Sequence, residues 1–351
     1  MIRIRRGLVR QVRERHAGLL DVEVEIDGTT EAAVAYPDLC GPVTPGDRVV
    51  LNTTAVSLGL GTGGVHFVIA VEGGSDLDPG DGVHAIKLRY TPVQVAVRAI
   101  EEGGAPLPED LDGMPVVAAG LHSAIAPVAI AAHAISPGIR IGLVITDAAA
   151  LPLAFGDSVP ALRAAGLIAA TVTCGQAFGG DVEAINKYSG MLAARAAGAQ
   201  MIIVAMGPGN LGTGSRYGFA GMEVAEVVNA VAALGGSPVA VPRIGFGDPR
   251  DRHRGVSHHT ITALGDAAFA SAIVALPPYG GETGAAVRGA LAPLARRHRI
   301  REIDLGPAEQ ALRDAPVPMR TMGRSFDEEP EYFRTAAAAG VLAARMAAGE
   351  Q

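Results

Sequence analysis

Side chains that can transfer protons or bind a metal lie at the ends of successive apolar segments of this chain. His122 follows the first such segment, Asp147 closes the second, Asp181 comes after the third, and His259 lies downstream of the fifth. An imidazole can transfer protons or bind a divalent metal, and a carboxylate can orient that imidazole or share the metal. These four residues are the candidate catalytic residues. Each carboxylate has an alternative role as the cap of a helix.

The segment DPRDRHRGVSHHT at 248–260 combines acidic residues with His253, His258 and His259. This composition suits a divalent cation, but the spacing matches no standard zinc motif. Adjacent histidines also usually point to different faces of their element. Proton transfer or ligand contact by a single histidine is the alternative. A divalent metal is therefore a candidate cofactor of unknown identity.

The glycine-rich segment GPGNLGTGS at 207–215 offers backbone amides to an anion. Glycines let the backbone approach a ligand closely, and amides beside a helix N-terminus attract negative charge. The segment fits neither the Walker pattern nor the dinucleotide fingerprint, so a wide turn without a ligand is the alternative. Basic residues from other segments could complete the site. The candidate ligand-binding residues are Gly207, Gly209, Asn210, Gly212, Thr213, Gly214, Ser215, Arg243, Arg254, Lys87 and Lys187.

Apolar segments alternate with helical patterns from about residue 115 to the C-terminus. Such alternation indicates a doubly wound, mostly parallel, Rossmann-like sheet that is covered on both faces, and a further helix follows at the C-terminus. Ligands bind at the carboxyl ends of the strands in folds of this kind, which is where the candidate residues lie. The predicted strands are PVVAAG, RIGLVITD, IAATVTC, MIIVAMG, PVAVPRIGF, SAIVALPP and REIDL.

The N-terminal part of the chain has a different pattern of short, valine-rich segments separated by turns. Asp27-Gly28 is a typical hairpin turn between two of them. We therefore predict a small all-β, barrel-like module at 1–82 in front of an α/β domain at 83–351. Lys87 follows this module and either reaches an anionic ligand or lies on a solvated edge.

Composition argues against several classes of function. A net charge of −7 provides no basic face for nucleic acid, so we expect no nucleic-acid partner. The uncharged stretch 114–139 is interrupted by proline, glycine and histidine, which favours a buried strand and helix over a membrane span. Cys40 and Cys174 form no metal-type pair and suit a reducing cytoplasm. The apolar fraction of 49% fits a buried subunit interface, so we expect a homo-oligomer.

Several long segments of the sequence together resemble a known family, the bacterial domain-of-unknown-function family 3866. The resemblance covers nearly the whole chain. It implies a single cytoplasmic architecture and assigns no activity, cofactor or role to any residue. The segments that carry it are PGDRVVLNTTAVSLGLGTGGVHFV, HAIKLRYTPVQ, GLHSAIAPVA, VITDAAALPLA, FGGDVEAINKYSG, VAMGPGNLGTGSRYGFAGMEV, DPRDRHRGVSHHT and TMGRSFDEEPEYF.

Two function hypotheses follow from these residues. The first is an enzyme, a hydrolase or transferase, that acts on a small anionic metabolite of phosphorylated or nucleotide-like character. Hydride transfer is disfavoured because the dinucleotide fingerprint is missing. The second is a non-catalytic ligand sensor or assembly protein whose β-module is the partner surface. Contact among the four candidate catalytic residues would favour the enzyme, whereas separate structural roles would favour the sensor.

Overall fold

The architecture was analysed in a computed structural model that describes residues 1–61, 63–104 and 106–350. Thr62, which belongs to one of the segments that resemble the known family, lies outside the described residues. The chain divides into two compact units, one from Met1 to Arg98 and one from Ala99 onward. The domain boundary predicted at 82/83 lies within the first of these units.

The first unit contains a closed barrel of five strands in the order β1-β2-β3-β5-β4, which confirms the predicted barrel-like module. Asp27 and Gly28 join β2 to β3, and both have positive φ angles, as the predicted tight hairpin requires. Gly7 allows β1 to pack closely, because a Cβ atom there would lie 2.4 Å from Val24. The strands are β1 (Ile4–His16), β2 (Leu19–Ile26), β3 (Thr29–Ala35), β4 (Arg48–Asn52) and β5 (His66–Val71).

Four shorter elements complete the first unit. Two helices of one turn lie within the barrel segment, and a two-stranded antiparallel pair follows it. These elements are α1 (Pro37–Cys40), α2 (Thr54–Ser57), β6 (Ala85–Lys87) and β7 (Val95–Val97).

The second unit is built on an eight-stranded sheet in which every pairing is parallel, as predicted. The strand order is β11-β10-β9-β12-β8-β13-β16-β17. The seven predicted strands are all present, and β11 is an additional short edge strand. Their bounds are β8 (Pro115–Ala119), β9 (Ile141–Thr146), β10 (Ala170–Thr173), β11 (Val182–Glu183), β12 (Met201–Met206), β13 (Ser237–Ala240), β16 (Ile273–Leu276) and β17 (Arg299–Glu302).

Helices and two small hairpins surround this sheet. A π-helix at 263–267 continues directly from the short helix α7 (His258–Thr262). The hairpins are β14 (Ile244–Gly245) with β15 (Gly255–Val256), and β18 (Arg320–Thr321) with β19 (Arg324–Ser325). The helices are α3 (Ile125–Ile135), α4 (Ser158–Ala164), α5 (Lys187–Ala196), α6 (Glu223–Ala233), α7 (His258–Thr262), α8 (Gly281–Leu291), α9 (Pro307–Arg313) and α10 (Pro330–Ala347).

Alternate residues of the central strands enter two separate cores, one on each face of the sheet. Val117 and Ala119 of β8 pack into the core with α3, α4, α9 and α10. Val116 and Ala118 of the same strand pack into the opposite core with α5, α6 and α8. Both faces are therefore covered, which is why these strands read as continuous apolar runs in the sequence.

The order of the strands creates a crevice at the carboxyl edge of the sheet. From β8 the chain enters α3 on one face, whereas from the neighbouring strand β13 it proceeds to the π-helix on the opposite face. Connections that leave adjacent strands toward opposite faces separate from each other. A ligand-sized opening is expected at such a point. No helix among the described residues is both long and apolar enough to cross a membrane.

Candidate functional site

A cleft, whose empty space of about 450 Å³ includes open solvent, lies at the carboxyl ends of β8 and β13, where the two connections separate. Most of its wall is apolar, and the polar contributions come from four side chains on three segments of the chain. Small and apolar residues after β8 and at the start of α6 line one part of the wall. The polar lining residues are Arg243, His259, Thr260 and Tyr332.

Three histidines form a compact cluster at this cleft. His253 ends a short 3-10 helix, and His258 and His259 begin α7. One ring nitrogen from each histidine lies within 4.8 Å of the others. The expectation that the adjacent pair diverges is wrong, since the ring centroids of His258 and His259 are 4.4 Å apart. Both face His253 because the preceding loop folds back over the start of the helix.

Ser257 organises this histidine cluster from a fully buried position. Its hydroxyl oxygen accepts the backbone N–H of His259 at 3.2 Å and so caps α7, as the sequence indicates. The same oxygen lies 2.8 Å from Nδ1 of His253. One hydroxyl group therefore sets the start of the helix and the orientation of a second imidazole.

The glycine-rich loop packs against His259. Phe219 stacks on its imidazole ring, and a Cβ atom added at Gly212 would lie 3.8 Å from its Cε1. The loop therefore runs beside the ring at a distance at which a Cβ atom on Gly212 would make an ordinary van der Waals contact. Sequence reasoning missed Phe219, although an aromatic residue beside a glycine-rich loop was a usable signal in a chain with only 4% aromatic residues.

The pKa values of all three histidines of the cluster are lowered from that of an ordinary imidazole. Burial, reinforced by the positive charge of Arg243, lowers the pKa of His253 to about 4 and that of His259 to about 3. Burial and the neighbouring Arg252 lower the pKa of His258 in the same direction. Neutral imidazoles keep a lone pair available, so they are acceptors or metal ligands and not fixed cations.

Arg243 supplies the positive charge of the cleft. Its guanidinium lies 3.2 Å from Asp248, whose carboxylate also receives two hydrogen bonds from the side chain of Arg250. The hydrogen bonds from Arg250 hold the pKa of Asp248 well below its usual range. Arg243 also lines a second, smaller cleft together with His253 and Asp248. The arginine therefore lies between two openings.

Glu329 anchors the loop that carries these residues. Its buried carboxylate accepts the backbone N–H groups of Phe246 and Gly247 at 2.6 and 3.0 Å, and Nε of Arg324 at 2.8 Å. A Cβ atom at Gly247 would lie 2.6 Å from this carboxylate, so glycine is needed there. Sequence reasoning missed Glu329, because its backbone partners Phe246 and Gly247 lie more than 80 residues away in the chain.

His122 has a separate environment on the loop after β8. Its Nδ1 lies 3.2 Å from the carbonyl oxygen of Met206, and its Nε2 lies 2.8 Å from the hydroxyl of Ser158. The carbonyl can only accept, so Nδ1 carries the proton and Nε2 accepts the serine hydroxyl. Burial lowers the pKa of His122 to about 4. A serine hydroxyl and a neutral base are thus paired.

The two candidate acids have structural partners of their own. Asp147 accepts the backbone N–H of Gln176 at 2.9 Å and is exposed to solvent. Asp181 accepts hydrogen bonds from the guanidinium of Arg163 and from both the backbone and the hydroxyl of Thr171. The carboxylate of Asp181 therefore ties the ends of neighbouring segments together. Arg163 and Thr171 hold its pKa below the usual range, against the opposing effect of burial.

The glycine-rich loop is mostly exposed and forms hydrogen bonds with itself. The backbone N–H and the hydroxyl of Thr213 both donate to the carbonyl of Gly218, and the N–H of Ser215 donates to the Thr213 hydroxyl. A 3-10 helix separates this loop from α6, so its glycines do not begin that helix. Its predicted role in anion binding stays a prediction. The remaining residues of the predicted set in this loop are Gly207, Gly209, Asn210, Gly212 and Gly214.

The other predicted basic residues are dispersed. Lys187 lies 3.3 Å from the buried Glu223 and 2.6 Å from Glu226. Arg254 is exposed, and Lys87 is buried in strand β6 of the first unit. Of the predicted site residues, Arg243 and His259 line one cleft together. His122, Asp147 and Asp181 each have other partners. Within the part of the chain that the structure describes, no hydrogen bond joins any two of the four candidate catalytic residues.

Comparison with known proteins identifies one family. Residues 32–340 match the sequence profile described as "protein of unknown function (DUF3866)", which covers most of the chain. No curated protein and no solved structure matches the chain.

Proposed function

The chain belongs to the DUF3866 family of proteins of unknown function, and we propose from the geometry of the cleft that it is an enzyme acting on a small anionic metabolite. The reaction class is hydrolysis or group transfer. The observation that carries the proposal is that Arg243 and His259 line one cleft at the strand crossover of a parallel sheet. Ligands of such sheets bind at this place.

The chemistry of the lining defines the kind of ligand. The planar guanidinium of Arg243 presents N–H donors side by side, an arrangement that suits a phosphate or carboxylate group. The backbone N–H of Arg243 donates to the hydroxyl of Thr260, which fixes the main chain beside that group. The apolar walls suit a ligand whose remaining part is uncharged. We therefore favour a compound with one anionic end and a compact apolar or neutral body.

A specific observation favours the second candidate, a non-catalytic ligand sensor. His122, Asp147 and Asp181 have separate structural partners and do not join His259 in one hydrogen-bonded group. Under this alternative the cleft binds the same anionic ligand without turnover. The two candidates thus agree on binding and differ on chemistry.

The test is thermal unfolding of the purified full chain against inorganic phosphate, nucleoside monophosphates, sugar phosphates and short carboxylic acids. A compound that binds the native state at 100 times its Kd stabilises the protein by about 2.7 kcal/mol. We expect one class to stabilise the wild type, and Arg243→Lys to abolish the effect because the side-by-side N–H donors are lost. Arg296→Lys, at an exposed arginine that does not line the cleft, is the matched control and should retain the effect.

Turnover then separates the two candidates. The stabilising compound is incubated with the wild type, and NMR spectra record whether it is converted. Conversion that His259→Asn abolishes supports the enzyme, whereas binding without conversion supports the sensor. If none of these anions stabilises the wild type, or if Arg243→Lys binds as well as the wild type, both candidates are wrong.

A further inference from the structure

The histidine cluster is the feature of this cleft that anion binding alone does not use. We propose that His253, His258 and His259 bind one divalent cation of the zinc type, which keeps an open coordination position toward the cleft. This inference rests on the proposed function, because the cation is placed in the same site as the anionic ligand. The spacing of these three histidines in the sequence matches no standard metal-binding motif.

The spacing of the ligand atoms is close to that of a metal site. One nitrogen from each ring lies within 4.8 Å of the other two. Nitrogens bound to tetrahedral zinc at about 2.0–2.1 Å lie roughly 3.4 Å apart, so side-chain movements of about 1 Å would complete the site. Three imidazoles with an open fourth position are a known arrangement for catalytic zinc.

A second, independent observation points to a ligand at this cluster. Nε2 of His258 is buried and has no hydrogen-bond partner. A buried polar atom without a partner costs free energy, and native proteins rarely retain one without a reason. A cation bound by this nitrogen would remove that cost.

The surroundings of His253 also suit a metal ligand. Its Nδ1 lies 2.8 Å from the buried hydroxyl of Ser257. In the tautomer in which Nδ1 donates to this oxygen, Nε2 has a free lone pair. Histidines that bind metals usually donate their other ring N–H to an oxygen in this way.

The charges that face the cluster explain why the cation and the anion belong together. Arg243, Arg250 and Arg252 are positive and oppose a bound cation, whereas Asp248 is negative and pairs with the first two. An anionic group on the open coordination position would balance the remaining positive charge. We therefore expect inorganic phosphate to increase the affinity for the metal.

The donor set limits which metal binds. Three imidazole nitrogens with neither thiolate nor carboxylate suit zinc, cobalt and nickel, whereas magnesium and calcium prefer oxygen ligands. Since cobalt has an absorption spectrum in a protein site and zinc does not, cobalt is the practical probe. Magnesium serves as the negative comparison.

The experiment titrates the untagged, chelator-treated full chain with Co²⁺ followed by visible absorption, and with Zn²⁺ followed by calorimetry. We expect one site per chain and no response to Mg²⁺. His258→Asn should weaken binding by at least about 100-fold, since even residues that only support a metal ligand contribute about 10–100-fold. This substitution breaks no hydrogen bond of Nε2, so the variant is expected to fold.

His133→Gln is the matched control, because His133 is a half-buried histidine on α3 outside the cluster. Binding that survives in His258→Asn and in His259→Asn, or the absence of saturable Co²⁺ and Zn²⁺ binding to the wild type, would overturn the inference. The metal site and the proposed function can be refuted independently of each other. Anion stabilisation that depends on Arg243 but needs no metal refutes only the metal site, and metal binding without anion stabilisation refutes only the proposed function.

Discussion

The rings of Phe219 and His259 lie flat against each other, with centroids 3.8 Å apart and planes that differ by 5°. Phe219 is almost fully buried, so the stack holds the imidazole in one orientation toward the cleft. The residue that positions His259 thus comes from the short segment between the glycine-rich loop and α6.

Replacing Phe219 by leucine should leave the imidazole of His259 less firmly held in its orientation. An aromatic pair contributes about 1 kcal/mol beyond its buried area, so Phe219→Leu is expected to lower the free energy of unfolding by roughly 1–2 kcal/mol. It should also weaken Co²⁺ binding. Urea unfolding and the Co²⁺ titration measure the two effects. Phe269→Leu changes an exposed aromatic residue and should alter neither quantity. Equal losses in both variants would contradict the role given to the stack.

The loop that carries the histidines should depend on Glu329. Glu329→Gln removes the charge that receives Arg324 and two backbone N–H groups, and a charged hydrogen-bond partner contributes about 1.5–3 kcal/mol. We expect unfolding free energy to fall by about 2–3 kcal/mol in urea denaturation. The control is Glu328→Gln at the exposed neighbouring residue. A loss of less than about 0.5 kcal/mol in Glu329→Gln would contradict the anchoring role.

His122 should make stability depend on pH on the acid side of neutrality. Its pKa is lowered by burial from 6.5 to about 4, so the unfolded chain binds a proton more readily than the folded protein. Stability from this group is complete above pH 6.5 and is lost as the pH falls toward 4, by at most about 3 kcal/mol. The difference in unfolding free energy between wild type and His122→Asn should therefore shrink as the pH falls through this range.

Urea unfolding at several pH values measures that difference. His84→Asn changes an exposed histidine and is the control variant, measured at the same pH values. A difference for His122→Asn that is constant or grows toward pH 4 would show that His122 is not buried as a neutral ring.

Lys187 should contribute to stability and not to ligand binding. Lys187→Met leaves the buried carboxylate of Glu223 without its cation, and breaking such a pair costs about 3 kcal/mol. The double variant Lys187→Met/Glu223→Gln removes both charges and should recover part of that loss. Anion stabilisation should be unchanged in the double variant. If it disappears there while the fold is intact, Lys187 belongs to the binding site after all.

The local pattern of the sequence determined the type and order of most elements. Asp27-Gly28 predicted the hairpin because both residues tolerate positive φ, and the continuous apolar segments predicted strands buried on both faces. Ser257 was recognisable as a helix cap from its position alone. These features follow from interactions between residues that are close in the chain.

The composition of the cleft depends on strand order and on contacts between distant residues. The position of β12 between β8 and β9 places the crossover at β8 and β13, and no local pattern specifies this order. Glu329 fixes the histidine loop from more than 80 residues away. Asp147 and Asp181 follow similar apolar segments in the sequence. In the structure, however, their carboxylates accept hydrogen bonds from residues outside the cleft. Non-local packing brings Arg243 and His259 into one cleft, because burial of both faces of the sheet decides which loops become neighbours.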